Sequence, residues 1–68
     1  MKPIFGPGAK LRGFLRESRN RIEVLGPTLR LLAIYYVDQN ITVATGGRLI
    51  GFGNQLMFVL GQQSPEQH

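Results

Sequence analysis

The chain has 68 residues, a net charge of +4, no cysteine, and a single histidine at its last position, His68. That length holds one domain, and a domain of about 60 residues buries only roughly 60% of the surface its unfolded chain exposes. Disulfides and thiolate metal sites are excluded, imidazole chemistry has no residue inside the domain, and packing, between subunits if need be, must supply the stability.

Residues 1–8 carry two prolines and two glycines and read as an irregular lead-in. Lys2 is followed by Pro-Ile-Phe-Gly-Pro-Gly and not by an apolar run. This gives no sign of a secretory leader, and with the missing cysteines it points to a cytoplasmic protein.

Residues 9–25 support two readings. As a helix, Leu11, Phe14, Leu15, Ile22 and Leu25 share one face, with Gly26 and Pro27 as the stop. As strands, 10–16 and 21–25 flank a turn at 17–20, and Gly26-Pro27 makes a further hairpin turn that sets Glu23 opposite Arg30. Internal similarity decides for strands: RIEVLGPTLRLL at 21–32 resembles RLIGFGNQLMFV at 48–59.

Residues 28–37, TLRLLAIYYV, are almost continuously apolar and end in aromatic and β-branched positions, which suits a central strand closed by the turn Asp38-Gln39-Asn40. Residues 41–45 alternate, Gly46-Gly47 supplies a tight turn, and 48–52 returns. Gly53-Asn54 predicts a second reversal, with 55–60 running out as another strand. In that register Val43, Ile50 and Met57 share one face, and Ala44, Leu49 and Phe58 share the other. Both faces are then apolar, so a second layer must cover each side.

The resulting expectation is a mainly β domain over 9–60: a six-stranded antiparallel meander or small barrel, followed by a polar tail at 61–68. The alternative is α+β, with an amphipathic helix at 9–25 on a four-stranded meander.

Catalysis has little to work with. Outside the tail the carboxylates are Glu17, Glu23 and Asp38. The first two lie among arginines, and Asp38 sits in a turn. Ser18 and Ser64 have no base within the domain, and no cluster of metal ligands occurs. GPGAK at 6–10 and GFGN at 51–54 lack the spacing of phosphate-binding loops. The expectation is a non-enzyme without cofactor or small-molecule substrate.

Binding remains. Residues 1–30 hold seven basic residues against Glu17 and Glu23, so the first half is strongly positive. Lys10, Arg12, Arg16, Arg19 and Arg21 are the candidate contacts to an anionic partner such as nucleic acid, with Phe14, Tyr35 and Tyr36 as aromatic stackers. The surplus of apolar residues argues first for an interaction module, a homo-oligomer or a subunit of a larger assembly, that associates through sheet faces or edges. Val43, Leu49, Ile50, Met57 and Phe58 are its candidate surface.

Overall fold

The computed structural model describes residues 1–62. Among them, six strands form one antiparallel sheet in the order of the chain: β1 (Lys2–Phe5), β2 (Leu11–Glu17), β3 (Arg21–Leu25), β4 (Leu31–Tyr36), β5 (Ile41–Ala44) and β6 (Leu49–Phe52). A helix, α1 (Leu56–Gln62), follows β6. β1 and β6 do not pair with each other, so the sheet is an open meander and not a barrel. No helix among the described residues is long and apolar enough to cross a membrane.

Between residues 10 and 52 the chain forms antiparallel strands, as the strand reading expects. The β5–β6 reversal places both Gly46 and Gly47 at positive φ (94° and 86°), where a side chain would strain the backbone. Asn40 closes the β4–β5 turn, donating its amide to Tyr36 O at 2.8 Å. Gly26-Pro27 does not make a two-residue turn. Gly26 N bonds Arg30 O across a wider loop, and Glu23 stands opposite Ile34 instead of Arg30.

Two expected elements are corrected. The lead-in contains β1, whose Pro3 is tolerated because the strand lies at the sheet edge, where a missing N–H breaks no ladder. The strand expected at 55–60 is α1. Leu56, Val59 and Leu60 recur at helical spacing and are buried, while Met57 and Phe58 between them are exposed. Asn54 starts the helix by accepting the Leu56 amide on Oδ1 at 3.1 Å. The count of six strands therefore stands, but with one strand gained at the start and one lost at the end. The tail expected at 61–68 lies almost entirely outside the described residues.

α1 lies against β3 and β4. Val24, Ala33, Leu56, Val59 and Leu60 form the core, with Ile4, Leu15, Ile22, Leu32, Tyr35 and Ile50 packed on it. Directly paired residues share a face, so the register carries this helix-covered side through Leu15, Val24 and Ala33 and through Ile22, Tyr35 and Thr42. Two β-bulges add to it. Leu32 is the extra residue where Val24 pairs Ala33 and Leu25 pairs Leu31, and Ile50 is the extra residue where Thr42 pairs Gly51 and Val43 pairs Leu49. Each bulge turns one more aliphatic side chain toward the helix.

Candidate functional site

Among the described residues, no helix lies on the other face of the sheet. Following the register, Phe14 and Leu25 pair at one end of it. Arg16, Glu23, Ile34, Val43 and Leu49 cross the middle, and Arg21, Tyr36, Ile41 and Phe52 cross the far end. Among the described residues no element packs across these rows.

The face divides by chemistry. Its β4–β6 part is an uncharged band of Ile34, Tyr36, Ile41, Val43, Leu49 and Phe52. Leu49 is 55% exposed and Phe52 is 74% exposed. Leu31, Ile34, Tyr36 and Val43, with the Gly46-Gly47 turn, enclose a hollow of about 250 Å³ beside it. Its β2–β3 part is an ion-pair cluster. Arg16 Nε and Nη2 converge on Glu23 Oε1, and Arg21 Nε lies 3.5 Å from Oε2. The Glu23 side chain is buried, and the two arginines paired with it are half-exposed.

The candidate association residues are split by this geometry. Val43 and Leu49 face one another on the open side. The bulge carries Ile50 to the helix-covered side, where it packs on the core. Met57 and Phe58 are exposed on the outer surface of α1, 51% and 56% respectively, and so form a second, smaller apolar patch. The expected row of Val43, Ile50 and Met57 does not exist, because it assumed a bulge-free hairpin and a third strand.

The candidate basic contacts are also dispersed. Arg16 and Arg21 are engaged by Glu23 on the open face. Arg19 sits in the β2–β3 turn, at the end of the sheet opposite Lys10. Arg12 is the extra residue of the β1–β2 bulge, and its side chain packs beside Gly6. Of the aromatic residues, Phe14 and Tyr36 belong to the open face. Tyr35 is on the covered side and donates its hydroxyl to Asn40 Oδ1 at 2.6 Å.

Sequence reasoning passed over a different pair. The loops 26–30 and 45–48 lie at the same end of the meander, and Arg30 and Arg48 line one cleft of about 290 Å³ between them. No protein-family model, no curated protein and no solved structure matches the chain.

Proposed function

We propose that the protein is a non-enzymatic association module that pairs with a second copy through its open sheet face. The observation that carries this reading is the uncharged band of Ile34, Tyr36, Ile41, Val43, Leu49 and Phe52 on a face that nothing in the described chain covers. A second sheet laid on it would complete the two-layered closure that the apolar pattern of both faces calls for.

Size supports a second copy as the occupant. The two longer dimensions of the molecule are 35 and 26 Å, and the shortest, 18 Å, fits one sheet and one helix layer. The broad side is therefore comparable with the ~800 Å² per partner of a standard interface. Phe52, the most exposed large apolar side chain, can project into the hollow formed by Leu31, Ile34, Tyr36 and Val43 of the other copy, and the exchange is reciprocal about a two-fold axis.

Edge pairing has less to offer. Pro3 blunts β1, and Phe52 O on β6 is already taken by Gln55 Nε2 at 3.0 Å. The alternative of nucleic-acid binding through Lys10, Arg12, Arg16, Arg19 and Arg21 is weakened by the engagement of Arg16 and Arg21 with Glu23. A cytoplasmic setting suits a chain with no cysteine to oxidise.

Sedimentation equilibrium of the full chain tests the proposal. The expected mass is twice the 7.6 kDa of one chain. Phe52→Asp is expected to return the protein to monomer with its circular dichroism intact, since Phe52 lies outside the core cluster. Met57→Asp, on the opposite side, is expected to leave the dimer unchanged. A wild-type monomer at the highest soluble concentration refutes the reading. So does a dimer lost in Met57→Asp but kept in Phe52→Asp.

A further inference from the structure

The three loops at one end of the meander are 6–10, 26–30 and 45–48, reading GPGAK, GPTLR and TGGR. They contain Lys10, Arg30 and Arg48. None of them contains an acidic residue. The carboxylates Glu17 and Asp38 lie toward the opposite end, and Glu23 is committed to Arg16 and Arg21. The sheet is thus electrostatically polar along its strands, with basic and no acidic residues in the three loops at this end.

At that end Arg30 and Arg48 line the 290 Å³ cleft together with Leu32, Thr45 and Val59. Among the described residues neither arginine makes an ion pair or a side-chain hydrogen bond. The cleft's frame is fixed. Thr45 N and Thr45 Oγ1 both donate to Leu32 O, at 3.0 and 3.2 Å, and Ala44 N bonds Arg48 O at 2.7 Å. Arg30 O is likewise held by Gly26 N at 2.8 Å. Two arginines are therefore presented on anchored backbone around one concavity whose exposed lining is mainly polar.

From this we infer that the Arg30–Arg48 cleft is a binding site for a phosphate group. A guanidinium meets a phosphate with paired, charge-assisted hydrogen bonds, and two of them suit a dianion better than a single carboxylate. The cleft lies near the lower end of the ~300–1,000 Å³ usual for ligand pockets, so a phosphate monoester of modest size is the ligand chemistry it fits. A phosphodiester of a nucleic-acid strand presents the same oxygens and is the other source.

The test is a titration of isotopically labelled full-length protein, followed by amide chemical shifts, with three probes: inorganic phosphate, adenosine monophosphate, and a short single-stranded oligonucleotide without terminal phosphates. Shifts are expected at 30–32 and 44–48 with phosphate and the monophosphate. Arg30→Gln and Arg48→Gln are each expected to weaken binding about tenfold or more. Arg19→Gln removes the same charge at the other end of the sheet and is expected to change it by less than about twofold.

Both arginines are exposed, so the variants keep the fold, which circular dichroism checks. If the oligonucleotide produces the same shifts with the same arginine dependence, the site stands and its phosphate comes from a strand. If no probe shifts 30–32 and 44–48, or if Arg19→Gln weakens binding as much as Arg30→Gln does, the site does not exist and the positive end is only a diffuse field.

Discussion

Thr42 shows how much rests on single side chains in a core this small. It is fully buried at the centre of β5 and is hydrogen-bonded twice. Its hydroxyl donates to Gly53 O at 2.7 Å and accepts from Gln55 N at 2.9 Å. Those two groups belong to the turn that changes the chain from strand to helix, so Thr42 fixes where α1 begins. Thr42→Val keeps the shape but strands two part-buried polar groups, together costing about 1–2 kcal/mol. The expected outcome is a fall in Tm of roughly 5–15 °C in a thermal melt, whereas Thr42→Ser, which keeps the hydroxyl, loses less. Gly13 is a second such point. A Cβ there would run into the carbonyl oxygen of Leu25 and crowd a Leu60 methyl at 3.1 Å, so only glycine lets β2 approach β3 this closely beside Leu60.

At the scale of elements, what the sequence made legible was what alternation and turn chemistry encode. β2, β3, β5 and β6 lie within a residue or two of the segments expected from 9–52, and Asp38-Gln39-Asn40 and Gly46-Gly47 are turns. Three features of the fold were not legible. The prolines at 3 and 7 argue against a strand only if its edge position is unknown, and edge position is a tertiary fact. QLMFVL is apolar at nearly every position, so its period is ambiguous, and the signal that could have resolved it was Asn54 as a helix cap before Leu56. The bulges at Leu32 and Ile50 shift the parity of a strand without changing its composition, and for that reason Ile50 does not share a face with Val43. The Arg30–Arg48 cleft was hidden for a related reason: the two residues are distant in sequence and meet only because consecutive hairpins place alternate turns at one end. An alanine scan of 56–60 separates the helical from the extended pattern directly. Leu56→Ala and Leu60→Ala are expected to cost about 2–4 kcal/mol in urea unfolding, and Met57→Ala and Phe58→Ala under about 0.5 kcal/mol. A strand would instead make 56, 58 and 60 the sensitive set.

At the scale of the whole molecule, the two candidate surfaces respond to salt with opposite sign. Each copy carries a net charge of +4, so two copies approaching face to face repel each other. The band that brings them together holds no charge, and Glu23 already offsets part of the arginine charge beside it. Added salt therefore screens the repulsion and leaves the attraction, and self-association tightens. Sulfate, which also strengthens apolar burial, acts more strongly than chloride at equal ionic strength. Phosphate binding at the positive end behaves the other way, because the guanidinium contacts are what the added ions screen, and a polyanionic strand loses affinity steeply. A dimer also couples to stability by mass action, so Tm is expected to rise with protein concentration, and that dependence is expected to vanish in Phe52→Asp. Sedimentation at rising sodium chloride is the deciding measurement. A dimer that strengthens with salt is held by the open sheet face, and one that dissolves as salt rises is held by charge, which would move the association surface away from Val43, Leu49 and Phe52 altogether.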